Sequence, residues 1–319
     1  MIWPNFFIVG AQNSGTTSLY AYLKQHPDVF MPALKEPHYF AQITPSHKQR
    51  YLRTIIHDEA AYLGLFRKAQ GYKAIGEASP SYLWDTNAAL RIRDAVPHAK
   101  IIILLRDPVE RAYSHYLMDV REGRQDLSFR EALQQDWKQS QKGWSVSQLY
   151  VELGLYAQQV QRYLDVFGSQ QVLILLFDEL TNSALNGKSV LANVLDFLGL
   201  SITPLHQIDT RFAENGFAAA RWPWARRIAG ANWVRRAGQL LVPVSLGSNH
   251  TIKRIVYQRY FVKAVPKPAM DERAGEWLRS IYDPDLRALE AIVGHALPEL
   301  RRSWQQSSRV PASSEFRGI

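Results

Sequence analysis

The sequence predicts an α/β fold, in which a doubly wound parallel sheet is flanked by helices and followed by a helical C-terminal layer. Three observations predict it. Four short apolar runs are of the kind that a parallel sheet buries on both faces, and stretches of helical spacing alternate with them. The chain has 319 residues, 46% of them hydrophobic, which is enough for one large domain with its own core.

The predicted elements follow one another along the chain. The apolar runs lie at residues 6–9, 73–77, 101–105 and 172–177, and each predicts a strand. Helical spacing covers residues 17–25, 108–120, 129–137, 155–167 and 190–198. From Phe212 onward the pattern is helical and basic, with no further strand signal. We therefore expect one domain over residues 1–304 and a flexible, serine-rich tail over residues 305–319.

Composition excludes several kinds of site and location. Because the chain has 0 Cys, disulfides, thiolate metal sites and cysteine nucleophiles are excluded. The apolar N-terminus lacks a basic start and reaches Gly10 at once, so we interpret it as a buried strand rather than a signal peptide. No stretch approaches the roughly 18 apolar residues of a transmembrane helix, and we expect a soluble, cytoplasmic protein.

The net charge of +9 is concentrated in one basic segment. Residues 211–267 contain 11 Lys or Arg and one acid, Glu214, so this segment is expected to face an anion. Tryptophans and arginines are interleaved at residues 221–236. Three interpretations stay open: an acceptor cleft for a sugar-rich or anionic substrate, a peripheral membrane contact that presents a lipid-linked acceptor, and a solvated helix with buried Trp rings. Nucleic acid is not expected, because no binding motif accompanies the charge.

A glycine-bounded loop follows the first predicted strand. Gly10 and Gly15 have four residues between them, and an amphipathic helix comes next. The N–H groups of such a loop point inwards and the helix N-terminus adds partial positive charge, which predicts a phosphate site. Thr16 and Thr17 stand where a nucleotide-triphosphatase loop has Lys and Ser or Thr, so a kinase or ATPase is disfavoured. The alternative is an ordinary turn that Thr16 or Ser14 caps.

An arginine follows the third predicted strand. The run at residues 101–105 delivers Arg106 to the carboxyl edge of the sheet, where open α/β sheets bind their ligands. Pro108 suits the first turn of the next helix. Ser114 comes eight residues after Arg106, close enough for the two side chains to share one phosphate. The alternative is a structural ion pair between Arg106 and Asp107 that caps the helix.

These motifs together resemble the sulfotransferases that use 3′-phosphoadenosine 5′-phosphosulfate (PAPS), particularly the bacterial and heparan-sulfate-like branch. The similar segments are FIVGAQNSGTTSL at 7–19, KEPHYF at 35–40, GEASPSYL at 76–83, LRDPVERAYSHY at 105–116, GLYAQQ at 154–159 and YDPDL at 282–286. The match runs, with gaps, from about residue 5 to 304. The resemblance implies a P-loop-like sheet and transfer of a sulfuryl group from PAPS to a hydroxyl.

The resemblance also implies roles for individual residues. The 5′-phosphosulfate would be held by Gln12, Asn13, Ser14, Gly15, Thr16 and Thr17, and the 3′-phosphate by Arg106 and Ser114. Glu36 matches the catalytic base, and Lys35 and His38 match residues that flank the reacting groups. A carboxylate can take the proton of the acceptor hydroxyl while cations stabilise the leaving phosphate, and no metal is required. The alternatives are a solvated Lys35–Glu36 pair, a packed His38, and a Glu77 that caps or pairs rather than contacts substrate.

One position departs from the family. Asn13 stands where the family normally has a Lys that contacts the oxygen bridging phosphorus and sulfur, and residues 10–17 contain no Lys or Arg. Three interpretations follow: Lys35 or His38 supplies the charge, Asn13 donates a neutral hydrogen bond to a slow reaction, or the protein binds nucleotide without turnover. We favour Lys35. The acceptor is predicted to be a carbohydrate, a glycolipid, a lipid-linked glycan or a small metabolite; its identity and the oligomeric state are left open.

Overall fold

The structure is a computed structural model. It describes residues 2–43, 55–144, 146–181, 187–210 and 267–307, together with the backbone of residues 218–220 and 262–264. The basic, tryptophan-rich stretch at residues 221–236 lies outside the described residues, as does the chain beyond Ser307, so the flexible tail stays a prediction.

Five parallel strands form the central sheet. They are β1 (Phe6–Gly10), β2 (Val29–Phe30), β3 (Ala74–Ala78), β4 (Lys100–Leu105) and β5 (Val172–Leu176), in the spatial order β2-β3-β1-β4-β5. Phe6 pairs with Gly76 on one side and with Lys100 on the other. Between Ile8 and Gly10 the register of β1 against β4 shifts, and Gly10 still pairs with Ile103. The central strand β1 therefore has β3 and β4 as its two neighbours.

The sheet is buried on both faces, as the uninterrupted apolar runs predict. Phe7 and Val9 belong to one core cluster, whereas Phe6 and Ile8 belong to the other. Because successive strand residues point to opposite faces, both clusters draw on the same short runs. The predicted doubly wound α/β fold is confirmed.

Helices cover both faces and form the C-terminal layer. They are α1 (Thr16–Leu23), α2 (Glu59–Gly64), α3 (Ser81–Trp84), α4 (Ala88–Ala95), α5 (Pro108–Arg121), α6 (Phe129–Lys138), α7 (Tyr156–Phe167), α8 (Phe177–Thr181), α9 (Lys188–Leu198), α10 (Glu272–Val293) and α11 (Arg302–Ser307). A 3₁₀ helix, Pro298–Arg301, leads into α11. A third apolar cluster joins α5, α6 and α10, with Tyr282 of α10 fully buried in it.

Local chemistry sets several helix ends. The Asp107 carboxylate accepts hydrogen bonds from the amides of Val109 and Glu110, and Pro108 occupies the first turn of α5. Asp271 caps α10 in the same way, and α10 ends at Gly294, which has a φ of +79°. These caps explain why helix positions could be predicted from sequence.

One prediction about the C-terminal half is wrong. Ala218–Ala220 (β6) pairs antiparallel with Val262–Ala264 (β7), although the sequence gives no strand signal after Phe212. Each strand has three residues, too few to show the alternation by which strands are predicted. Shortness likewise explains why the sequence does not predict β2, α2, α3 and α8. Helix α4 is also not predicted, although it has as many residues as α1. No helix in the described part of the chain is long and apolar enough to cross a membrane.

Candidate active site

The phosphate loop leaves the carboxyl end of the central strand. Gly10 is required there by close packing, because a Cβ on it would stand 2.6 Å from the Cβ of Leu83. Gly15 turns the chain into α1 with a φ of +91°, which favours glycine. In the described structure no side chain caps the N-terminus of α1, so the capping role weighed for Ser14 and Thr16 is not observed. The first-turn amides of α1 can therefore donate hydrogen bonds to an oxyanion.

The loop side chains differ in exposure. Ser14 and Thr16 are buried, Gln12 is half-buried and Thr17 is exposed. The groups of the loop best placed to donate hydrogen bonds to a phosphate are thus the backbone amides and the exposed Thr17 hydroxyl.

The side-chain amide of Asn13 does not point into the phosphate loop, where the family's lysine would place its charge. The residue has a φ of +63°, and its Nδ2 lies 3.8 Å from the Sδ of Met118 on α5. Its Oδ1 is buried and makes no hydrogen bond among the described residues. The side chain is therefore directed towards α5, which does not support a hydrogen bond from Asn13 to the leaving group.

Arg106 lies beside this loop with its charge held in place. Its Nη1 donates to the backbone oxygen of Asn13 at 3.2 Å, and its guanidinium stacks 4.4 Å from the centre of the Phe177 ring. The carboxylate of Glu110 lies 3.7 Å from Nη2, whereas Asp107 caps α5 instead of pairing with Arg106. Burial lowers the pKa of Arg106 and Glu110 opposes that change; an arginine remains charged under such a shift.

Ser114 lies within α5, which begins two residues after Arg106, and its side chain is half-buried. The hydroxyl of Tyr156 donates to the backbone oxygen of Arg106 at 2.9 Å and fixes the start of this segment. Arg106 and Ser114 thus flank the first two turns of one helix, as the sequence predicts.

The segment Lys35 to Phe40 has no regular structure and lies against the end of β3. The amide of Glu36 donates to the backbone oxygen of Ala78 at 3.1 Å, and the amide of His38 donates to Oγ of Ser79 at 3.1 Å. Glu36 and His38 have φ values of +62° and +53°, a region that non-glycine residues seldom adopt. Hydrogen bonds that this backbone donates to the neighbouring β3–α3 segment therefore hold it in an uncommon conformation.

The Glu36 carboxylate lies between two basic side chains. Lys35 Nζ donates to Oε1, and Nε2 of His38 lies 3.8 Å from Oε2. Burial raises the pKa of Glu36, but the charge and hydrogen bond of Lys35 lower it to below the ordinary value. Glu36 is thus ionised at neutral pH, and the Lys35–Glu36 pair is half-buried rather than solvated, with Lys35 only 17% exposed.

His38 is packed and neutral. Its side chain is 1% exposed, its Nδ1 forms a 2.7 Å hydrogen bond with Oγ of Ser81, and the ring of Trp144 lies 6.0 Å away. Burial lowers the pKa of His38 to about 4, against the opposing charge of Glu36. An uncharged ring held through Nδ1 presents Nε2 towards Glu36.

Glu77 lies beneath this segment on β3. Its Oε2 accepts hydrogen bonds from Tyr82 at 2.7 Å and Tyr62 at 3.2 Å. Burial raises the pKa of Glu77 to about 7, although the hydrogen bonds from Ser79, Tyr82 and Tyr62 oppose it. The two tyrosine contacts favour the pairing role for Glu77 over substrate contact.

The three predicted parts of the site therefore lie at the ends of three adjacent strands, β3, β1 and β4. The loop at Gly10, the segment Lys35–Phe40 against the end of β3, and Arg106 after β4 all lie at the carboxyl edge. No group of His, Asp or Glu suited to a metal ion is present among the described residues. Sequence reasoning missed the supporting contacts from Phe177, Tyr156, Ser79 and Ser81. The two serines lie in the GEASPSYL segment and Tyr156 lies in the GLYAQQ segment, whereas Phe177 lies in none of the similar segments.

Comparison with known proteins identifies one family. The family described as "Sulfotransferase family" matches residues 4–204. Carbohydrate sulfotransferase 15 of Mus musculus is 30% identical over 291 residues, which covers 70% of this chain and 50% of that protein. Heparan sulfate glucosamine 3-O-sulfotransferase 6 of Mus musculus is 31% identical over 199 residues, 62% of this chain and 53% of that protein. The chain spans about half the length of these curated relatives.

A solved structure gives the same result for the fold. The crystal structure of a sulfotransferase from Alicyclobacillus acidocaldarius has 33% sequence identity and a TM-score of 0.71. The match covers 95% of this chain and 100% of that chain. The similarity therefore extends through the C-terminal layer as well as the sheet.

Proposed function

Because this chain belongs to the sulfotransferase family, we propose that it transfers the sulfuryl group of PAPS to a hydroxyl of a carbohydrate, a glycolipid, a lipid-linked glycan or a small metabolite. One observation carries the proposal. An ionised carboxylate, Glu36, is held between Lys35 and His38 at the sheet edge that also presents the phosphate loop and Arg106. Relatives named for carbohydrate and heparan sulfate glucosamine acceptors favour a sugar hydroxyl.

The donor side fits a nucleotide with two phosphate groups. The uncapped first turn of α1 offers amides to the 5′-phosphosulfate, and Arg106 with Ser114 offers a cation and a hydroxyl to the 3′-phosphate. Arg106 is preorganised by the Phe177 ring and by the backbone of Asn13, so little of its freedom is lost on binding.

The acceptor side supplies the base. Glu36 takes the proton of the acceptor hydroxyl, whose oxygen then attacks sulfur. The bond between sulfur and the bridging oxygen breaks, and adenosine 3′,5′-bisphosphate leaves with the bonding electron pair. Neutral His38 orients the carboxylate from its Nε2 side, and Lys35 holds the other oxygen.

Lys35 is also our candidate for the charge that Asn13 lacks. It is the basic group on the catalytic segment, whereas His38 is neutral and the Asn13 amide faces Met118. When Glu36 takes a proton, its attraction for Lys35 weakens, which frees the ammonium to stabilise the leaving phosphate. The second candidate function is nucleotide binding without turnover, favoured by the position of the Asn13 side chain.

Calorimetric titration tests the donor site first. Adenosine 3′,5′-bisphosphate should bind more tightly than Mg-ATP, whereas a kinase would prefer Mg-ATP. Transfer of labelled sulfate from PAPS to a panel of hydroxyl-bearing glycans then separates an enzyme from a binding protein. Tight binding of the bisphosphate with no transfer to any acceptor, and no gain on Asn13→Lys, would favour the non-catalytic alternative.

A further inference from the structure

The last described helix meets the chain beside the donor arginine. Oγ of Ser303 donates to Oδ2 of Asp107 at 2.6 Å, the Ser303 amide donates to the same oxygen at 3.2 Å, and Nε1 of Trp304 donates to Oδ1 at 3.3 Å. These contacts span 196 and 197 residues of sequence. Asp107 is 4% exposed, so its charge depends on protein donors rather than on water.

Asp107 connects Arg106 to the N-terminus of α5. Its Oδ1 also accepts from the amides of Val109 and Glu110, which begin the helix that carries Ser114. A second contact joins α11 to α8, where Nη1 of Arg302 donates to Oδ2 of Asp178 at 3.3 Å. Asp178 adjoins Phe177, the ring on which Arg106 stacks.

We propose that Ser303 and Trp304 are positioning residues of the donor site: through Asp107 they fix the angle between Arg106 and α5, and thus the spacing of Arg106 and Ser114 that a 3′-phosphate requires. This inference rests on the proposed function. Ser303 and Trp304 act through Asp107 and not by contact with the nucleotide. Loss of the Ser303 hydroxyl leaves one oxygen of the buried Asp107 carboxylate with a single donor. The carboxylate is then held less firmly, and so is Arg106 relative to α5.

The test separates the 3′-phosphate from the rest of the nucleotide. Affinities for adenosine 3′,5′-bisphosphate and for adenosine 5′-phosphate are measured by calorimetry on the full chain. Ser303→Ala should weaken the bisphosphate about fivefold and leave the monophosphate unchanged. Ser303→Thr, which keeps the hydroxyl, should restore the affinity. Ser280→Ala is the matched control, because the Ser280 hydroxyl donates only to the backbone oxygen of Trp277 in its own helix.

A double-mutant cycle tests the route through Arg106. In the Arg106→Ala background, Ser303→Ala should have no further effect on bisphosphate affinity. Equal weakening of both nucleotides, or unchanged affinity for both, overturns the inference and leaves the proposed function standing. A wild-type chain that does not prefer the bisphosphate overturns both. If Ser303→Ala does not fold, Trp304→Phe replaces it, since it removes the N–H and retains an aromatic ring.

Discussion

The donor side and the catalytic segment of this site are built by different means. The donor side consists of two strand-to-helix junctions, β1 to α1 and β4 to α5, where a strand and the helix that follows it position Gly15 and Arg106. The segment Lys35–Phe40 has no helix or strand and is positioned by hydrogen bonds with the β3–α3 segment. Nucleotide binding should therefore tolerate loss of a single hydroxyl that supports the catalytic segment, whereas the rate of turnover should fall.

Removal of the base should give the largest effect. Glu36→Gln abolishes proton acceptance, and we expect transfer to fall about 10³-fold, within the range found for general bases. Affinity for adenosine 3′,5′-bisphosphate should change little, because the donor side is supported separately. Sulfate transfer and calorimetry measure the two quantities. A parallel loss of nucleotide affinity would contradict the separation of the two regions.

Substitution of Glu77 should show how much folding free energy is lost when this carboxyl is buried beside the catalytic segment. Its folded pKa of about 7 lies above the ordinary 4.5, so the folded state binds more protons between these values and stability falls as pH rises through them. Relative to wild type, Glu77→Gln should gain about 3 kcal/mol of unfolding free energy between pH 4.5 and 7.

Denaturant unfolding at several pH values measures that difference. His38 and His115 have pKa values lowered by burial to about 4, so both give stability that is lost as pH falls below 6.5. The contribution of these two histidines to the pH dependence of stability is opposite in sign to that of Glu77. It is the same in the variant and the wild type, so it cancels in the difference between them. A difference that does not change with pH would mean that Glu77 is ionised in the fold.

The donor side should respond most to its arginine. Arg106→Ala removes the guanidinium contributed to the 3′-phosphate, and we expect bisphosphate affinity to fall about 30-fold, the size of a lost charge-assisted hydrogen bond. Affinity for adenosine 5′-phosphate should stay near the wild-type value. Arg287→Ala is the control, because Arg287 is 74% exposed and pairs within its own helix. An equal loss for both nucleotides would place Arg106 at the 5′ end.

The smallest effect sharpens the account of His38. Ser81→Ala removes the 2.7 Å hydrogen bond to Nδ1, which releases the ring from one orientation. We expect kcat to fall about fivefold with little change in KM for PAPS, since only the catalytic segment is affected. Ser81→Thr should retain most of the rate. A change confined to KM for PAPS would instead assign Ser81 to the donor side.

The sequence predicted the donor side better than the catalytic segment. An apolar run followed by a glycine or an arginine is a local pattern, and the caps at Asp107 and Gly294 made helix ends visible. The partners of His38 lie 41 and 43 residues away, and no local pattern encodes that contact. The left-handed backbone at Glu36 was hidden for the same reason, because longer-range contacts impose it. The roles of both regions, and the cytoplasmic location, stay predictions.

The order of these contacts along the chain bears on how the protein is made. The proposed reacting and donor-binding groups all lie before residue 115, but the hydroxyl that secures Asp107 belongs to Ser303. Tyr156 likewise receives its support from α10, through the Asp285 carboxylate at 2.7 Å from its amide. During synthesis the chain thus contains its proposed reacting and donor-binding groups early, and the residues whose hydrogen bonds align those groups are added later. A chain whose synthesis stops before residue 303 contains these groups but lacks the hydrogen bonds from Ser303 to Asp107.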